Sequence, residues 1–193
     1  MRIISGEFKG RRFHPPADNW PTRPTTDYAK EGLFNILQNN FDFADLKVLD
    51  LFGGTGNHSY EFISRGCRDV TYVDKFGGCL QFVRKLSKEL AIEDRIRIVR
   101  SDVFRFIQQT TVRYDYVFAG PPYGMPRLDE LPDLILAKPL LRPGAWLVLE
   151  HNPNHDFSDH DHLVEVRHYG KTIFSFFTLP EQRTEPDTPA TEQ

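Results

Sequence analysis

From Lys47 to His151, short apolar runs rich in β-formers alternate with helical patterns. The strand runs are KVLDLF, VTYVD, RIRIVRSDV, YDYVFAG and AWLVLEH. Between them lie HSYEFISRG, GGCLQFVRKLSKELAI and helical patterns at about 103–109 and 128–137. Strand interiors that are apolar on both faces belong in a mostly parallel sheet covered by helices on each side. The last third departs from this rhythm: HLVEVRHYG and TIFSFFTL follow one another with no helix between, which predicts a terminal antiparallel hairpin at the sheet edge. The expected fold is therefore α/β, a doubly wound seven-stranded sheet.

Ahead of that domain, MRIISGEFKGRRF alternates apolar and polar residues around Gly6 and Gly10, predicting short strands or a hairpin. A proline-rich connection, HPPADNWP, leads into RPTTDYAKEGLFNIL, a helix with capping residues at Thr25, Thr26 or Asp27 and an apolar face of Leu33, Phe34, Ile36 and Leu37. The final EQRTEPDTPATEQ is acidic, rich in Pro and Thr and nearly without apolar residues, so it reads as a disordered tail. The division expected is an N-terminal extension over residues 1–40, a catalytic domain over 41–180 and a tail over 181–193.

With 193 residues there is room for one domain with a sizeable core. No apolar run reaches membrane-span length and the start carries no signal-peptide pattern, so a cytoplasmic protein without a membrane partner is expected. Cys67 and Cys79 stand in no metal or redox spacing and read as reduced thiols. The net charge of −3 hides an uneven distribution, since Arg2, Lys9, Arg11, Arg12, Arg23 and Lys30 crowd the first thirty residues. Such a patch is compatible with a nucleic-acid partner.

In doubly wound sheets the ligand lies outside the carboxyl ends of the strands. Four features fall on that rim in order: DLFGGTG after the first strand, Asp74 after the second, Asp102 after the third and AGPPY after the fourth. Gly54-Thr55-Gly56 looks like the start of a dinucleotide fingerprint, but Ser59 replaces the third glycine. Asp50, directly before the loop, would repel a pyrophosphate and attract a cation. Asp74 suits a ribose diol and Asp102 an adenine amino group. Together the three acids describe a positively charged nucleoside, S-adenosylmethionine.

These motifs resemble the class I methyltransferases and, within them, the bacterial 16S ribosomal RNA guanine-N2 methyltransferases of the RsmD type. The resemblance runs from MRIISGEFKGRRF through RPTTDYAKEGLFN, VLDLFGGTG and YVD to GPPY, and RPTTD..KE.LFN ahead of LDLF.GTG is its most specific part. It implies a Rossmann-like sheet. Asp50 and the backbone of Phe52, Gly53, Gly54, Thr55 and Gly56 would hold the methionine end of the cofactor. Asp74 would take the ribose, and Asp102 with Val103 the adenine. It further implies a monomer acting on the small ribosomal subunit, with Arg2, Arg11, Arg12, Arg23, Thr25 and Thr26 helping to hold 16S rRNA.

After the fourth strand the family carries Asp or Asn, two prolines and Tyr or Phe. The exocyclic amine of guanine is a poor nucleophile because its lone pair is delocalised. Acceptors on its hydrogens, one from the acid or amide and one from a proline carbonyl, favour a localised lone pair. The aromatic stacks on the extruded base, and the prolines keep the set rigid. Here Pro121, Pro122 and Tyr123 match, but Gly120 offers no side-chain acceptor. A strand-end residue normally has φ below zero, so glycine is not expected to be demanded there by backbone geometry. Glu150 closes the fifth strand near the same rim, and Glu31 either approaches the methionine end or faces solvent. His151, His155, His160 and His162 with Asp156, Asp159 and Asp161 form a polar loop of no familiar metal spacing, and no metal is expected. Two other functions fit parts of the pattern: a noncatalytic RNA-binding homologue that lost turnover at Gly120, and a DNA adenine-N6 methyltransferase sharing the Pro-Pro-Tyr logic.

Overall fold

The computed structural model describes residues 1–16, 20 and 25–179. Helix α1 spans Asp27–Gln38. It is followed by β1 (Lys47–Leu51), α2 (Asn57–Ser64), β2 (Asp69–Asp74), α3 (Gly77–Glu89), β3 (Ile96–Arg100) and α4 (Val103–Gln109). Strand β4 (Tyr114–Ala119), α5 (Leu131–Leu136), β5 (Leu141–His151), β6 (Leu163–Tyr169) and β7 (Thr172–Thr178) complete the order. The seven strands lie in the order β3-β2-β1-β4-β5-β7-β6. Strands β1 to β5 are parallel, and β7 runs antiparallel to both β5 and β6. Chain order reverses between β1 and β4, which makes that crevice the switch point.

Successive strand residues feed opposite layers because their side chains alternate across the sheet. Val48, Tyr72, Tyr116, Phe118 and Val148 join α1, α2 and α3 on one side. Leu49, Val73, Val117, Leu147 and Leu149 join α4 and α5 on the other. The predicted terminal hairpin is present, but TIFSFFTL is not at the edge. All of Thr172–Phe177 is buried, because β7 is inserted between β5 and β6. The outermost strand is β6, which leaves Val164 and Val166 exposed. Charge and bulk along HLVEVRHYG are thereby explained as an edge strand's.

At the N-terminus the predicted hairpin reduces to a single antiparallel bridge, Arg2 with Arg12. What fixes this segment is its docking on α2. Gly6 (φ 82°) packs so closely on the end of that helix that a Cβ would stand 1.8 Å from the Ser64 carbonyl oxygen. Ile3 and Phe8 are buried in the same layer as α1, so residues 1–13 share the sheet's core.

A buried ion cluster seals this contact. Glu61, fully buried on α2, accepts from the backbone N–H groups of Ile4 (2.8 Å) and Ser5 (3.0 Å) and from Arg65 Nε (2.9 Å). Lys30 Nζ lies 3.3 Å from the same carboxylate and donates to Asn57 Oδ1 (2.8 Å) and the Arg2 carbonyl (2.5 Å). Burial pushes the Lys30 ammonium down from its usual range, and Glu61 opposes that push. A charged residue on the apolar face of α1 is tolerable only with such a partner.

Candidate active site

A cavity of about 870 Å3 runs along the carboxyl ends of β1 to β5. Of the predicted site residues, Thr25, Asp50, Phe52–Thr55, Asp74, Asp102, Val103 and 120–123 line it. Gly56 stands behind the loop as the N-cap of α2.

The first half of the cavity is built from backbone held by carboxylates. Asp74 accepts from Gly54 N–H (2.9 Å) through one oxygen and from Phe76 N–H (2.8 Å) through the other. Gly53 N–H donates to the Val73 carbonyl (3.1 Å), and the Tyr72 hydroxyl donates to the Gly54 carbonyl (2.6 Å). The loop thus lies flat on β2, and a Cβ on Gly53 would meet the Tyr72 ring at 2.3 Å. Phe52, Gly54 and Gly56 are all left-handed (φ 59°, 53° and 78°). For Phe52 that conformation costs about 1–2 kcal/mol, a strain characteristic of functional loops.

Asp50 is buried, 1% exposed, and accepts from the Ser59 hydroxyl at 2.6 Å. Burial pushes its carboxyl up to about 7, against the opposing Ser59 hydrogen bonds, with Asp74 adding to the rise. The residue that breaks the dinucleotide fingerprint is therefore the one that orients this acid. Asp102 is exposed and caps α4 by accepting from Arg105 N–H (3.2 Å). Val103 opens that helix, so its N–H has no intrahelical acceptor and is free for a ligand. Trp20, edge-on to Phe76 at 5.6 Å, and Phe104 add aromatic walls.

The second half is assembled from side chains that are distant in sequence. Gly120 N–H continues the β1–β4 ladder to the Leu51 carbonyl (3.2 Å). The Pro122 carbonyl accepts from Met125 N–H (2.9 Å), closing the turn. The Tyr123 hydroxyl donates to Glu150 Oε1 (2.9 Å) and lies 3.4 Å from the Thr172 hydroxyl. Thr25 donates to Glu150 Oε2 at 2.5 Å. His155 bridges from the loop after β5: Nε2 meets the Tyr123 carbonyl (3.1 Å) and Nδ1 meets Asp129 (2.7 Å).

Gly120 is not left-handed, as predicted, and the space for a side chain there is tight on one side. A Cβ there would stand 3.0 Å from Phe118 Cε1. That ring is stacked on His58, centroids 3.8 Å apart and planes 12° from parallel. Burial drives the His58 pKa well down, so the stacked ring is neutral. A residue larger than glycine at 120 therefore requires the Phe118 ring to give by a few tenths of an ångström.

The predicted RNA-contacting residues separate into three kinds. Arg11 and Arg12 are exposed, with Arg11 5.5 Å over the Phe8 ring. Arg2 pairs with Asp27 (3.1 Å), and Thr26 caps α1 by accepting from Ala29 N–H (3.2 Å), leaving Thr25 facing the cavity. Arg23 and the tail at 181–193 lie outside the described residues. Glu31 is exposed. The histidine-rich loop uses its rings as struts, and among the described residues no cluster of three or more His, Cys, Asp or Glu is placed to hold a metal. Cys67 and Cys79 are free and buried. Among the described residues no helix is long and apolar enough to cross a membrane.

Sequence reasoning missed the contacts of Thr25, His58, Trp20 and His155, none of which has a local pattern. The Lys30–Glu61 pair did leave a signal, a charge on the apolar face of each helix.

A positively charged nucleoside fits what is built here: a buried acid that a nearby cation would favour in its ionised form, an acid at the next strand end placed for a ribose, and an aromatic-walled slot beyond it. Comparison with known proteins agrees. The family described as Conserved hypothetical protein 95 matches residues 1–178. YlbH of Bacillus subtilis is 34% identical over 155 residues, 79% of this chain and 83% of that one. Ribosomal RNA small subunit methyltransferase D of Escherichia coli K12 is 33% identical over 152 residues, 78% of this chain and 71% of that one. The solved structure of YhhF from Escherichia coli superposes with a TM-score of 0.80 at 26% identity, covering 94% of this chain and 99% of that one. A match over nearly the whole described length settles the family: the chain belongs to the Conserved hypothetical protein 95 family, that of the ribosomal RNA small subunit methyltransferases D.

Proposed function

We propose that this protein is an S-adenosylmethionine-dependent methyltransferase acting on the N2 amine of a guanine in 16S rRNA of the small ribosomal subunit, in the cytoplasm. One observation carries the reading. A single cavity joins the acid-bearing ends of β1 to β3 to the Pro-Pro-Tyr turn after β4. A cofactor and a base placed in its two halves share one space.

The cofactor supplies an electrophilic methyl group on a sulfonium. Asp50, ionised opposite that cationic end, and the loop 52–56 hold the methionine portion. Asp74 takes the ribose through lone pairs that remain after its two backbone bonds, since a carboxylate offers about four. Asp102 and the Val103 N–H read the adenine edge. On the other side the Tyr123 ring, fixed through its hydroxyl and its carbonyl, offers a stacking face for an extruded base. The backbone acceptor for the target amine is a carbonyl of the Pro121-Pro122 pair, of which Pro122 also accepts from Met125 N–H. Arg11 and Arg12, exposed beside the N-terminal segment, with Arg2 next to the start of α1, form the phosphate-holding side, to which the sequence adds Arg23.

Incubating the protein with methyl-labelled cofactor and undermodified small subunits, then mapping the product, tests this. Label is expected on N2 of one guanine. Label on another base overturns the guanine assignment. Cofactor binding without any label favours the noncatalytic reading, for which the missing side chain at Gly120 is the motive.

A further inference from the structure

We propose that Tyr28, seated against Tyr169 just outside the cavity, is a stacking platform for the nucleotide that flanks the target base in unpaired rRNA. The proposal rests on the methyl-transfer reading above.

The Tyr28 ring is exposed and yet held. It is 72% exposed, the most of any large apolar side chain among the described residues. It meets Tyr169 edge to face, with centroids 5.5 Å apart and planes at 77°. Tyr169 is in turn packed on Phe174 (5.8 Å) and on the core layer that holds α1. Gly32, in the middle of α1, makes that seat, since a Cβ there would stand 2.2 Å from Tyr169 Cε1. Glycine weakens a helix interior, and what it admits here is the ring that steadies Tyr28. An aromatic already held in place loses little entropy on stacking, and every base has a π-face to offer it.

The pair also stands beside the target-base half. Tyr28 is three residues beyond Thr25, which lines the cavity. Tyr169 pairs across the β6–β7 hairpin with Thr172, whose hydroxyl is 3.4 Å from that of Tyr123. A base extruded into that half leaves its neighbour in the strand without a stacking partner.

Charge selects the occupant. Arg2 pairs with Asp27, the residue before Tyr28, and its backbone is bridged to that of the exposed Arg12. On the other side, Arg167 stands two residues before Tyr169 on the same strand, and Lys171 is exposed in the hairpin turn. Of the acids nearby, Asp27 is paired with Arg2 and Glu165 with Arg167, leaving the exposed Glu31 one turn along α1. Cations on both sides of an exposed ring fit a phosphate chain that carries bases.

Wild type, Y28A and Y28F are compared for binding to undermodified small subunits over a range of salt, with cofactor affinity and the thermal midpoint measured beside it. Y28A is expected to weaken subunit binding about 5- to 150-fold. Its salt slope stays that of wild type, because stacking releases no counterions. Y28F, which keeps the ring, stays within about threefold, and neither variant moves the cofactor affinity or the midpoint. In a second arm Tyr28 is replaced by the photoreactive p-benzoylphenylalanine and crosslinked to the same subunits. The crosslink is expected on a nucleotide adjoining the one that takes the methyl label. Wild-type binding by Y28A, or an equal loss in Y28F, overturns the proposal while methyl transfer stands. A crosslink to a ribosomal protein, or to rRNA remote from the labelled nucleotide, overturns it as well. If wild type binds cofactor but neither binds nor labels the subunits, the methyl-transfer reading fails and the proposal with it.

Discussion

The two halves of the cavity are held by different kinds of bond. Around β1 to β3 the grip is local: Asp74 reaches Gly54 and Phe76, Ser59 reaches Asp50, and Asp102 reaches Arg105. Around β4 and β5 it is long-range, with Thr25 bonded to Glu150 across 125 residues of chain and His155 bonded to Tyr123 across 32. A ligand pocket made from backbone and nearest acids survives change elsewhere in the chain. One made from side chains of five separate segments depends on the whole fold being docked, and above all on the N-terminal segment that delivers Thr25.

The largest expected effect follows from that dependence. Glu61→Ala leaves Lys30 buried and unpaired and strips the Ile4 and Ser5 N–H groups of their acceptor. Breaking a buried pair in this way costs about 3–5 kcal/mol, read as a lowered denaturant midpoint with unchanged slope. The comparison sharpens if residual folded protein still binds cofactor while transfer to RNA is lost. It breaks if both halves fail in parallel.

Asp74→Ala strikes the local half instead. Loss of charge-assisted bonds is expected to weaken cofactor binding by about 1.5–3 kcal/mol, roughly 10- to 100-fold, by calorimetry. RNA affinity should stay put. Unchanged cofactor affinity would remove the second strand end from the site.

The smallest effect is a proton. Asp50 is raised to about 7 in the protein without a cation beside it, against 3.8 for an ordinary side chain. The folded state then holds more protons than the unfolded state between those values, so this group's contribution to stability declines as pH rises from about 4 to 7. A cationic ligand needs the ionised form, so its affinity should rise with pH and level off above about 7. Binding at pH 6 should release up to about one proton, counted by calorimetry in buffers of different ionisation enthalpy. Asp50→Asn should abolish that release. A pH-independent affinity would mean that Asp50 does not meet the cation.

The same contrast explains what the sequence made legible. The parallel sheet, the glycine loop, Asp50, Asp74 and Asp102 were readable because each sits at a strand end and each strand announces itself locally. The Pro-Pro-Tyr turn was readable for its residue types. The packing of Phe118 against Gly120 was not, because it depends on a ring two residues back being pinned by His58 from α2. Likewise TIFSFFTL reads as apolar throughout, which marks a strand buried on both faces, but its order in the sheet is set by pairing with β5 that no local pattern encodes. Ser59 looked like a missing glycine and is instead a hydrogen-bond donor to the acid it faces.

The position of β7 has a consequence for how the chain reaches its native state. This strand is second from the edge but last in the sequence, and it pairs with β5 from Trp146↔Thr178 to His151↔Ile173. Until residues 172–178 are in place, the long apolar flank of β5 has no ladder partner on that side, and Phe174, Phe176 and Phe177 have no core to enter. A partly made chain therefore presents an open strand edge of the kind that recruits other chains. Closure of the sheet by β7 is the event that ends this exposure, and Glu150, next to the end of that ladder opposite Phe174, gains its partner strand at that point. Closing the sheet and completing the strand that carries Glu150 to the cavity are therefore one event.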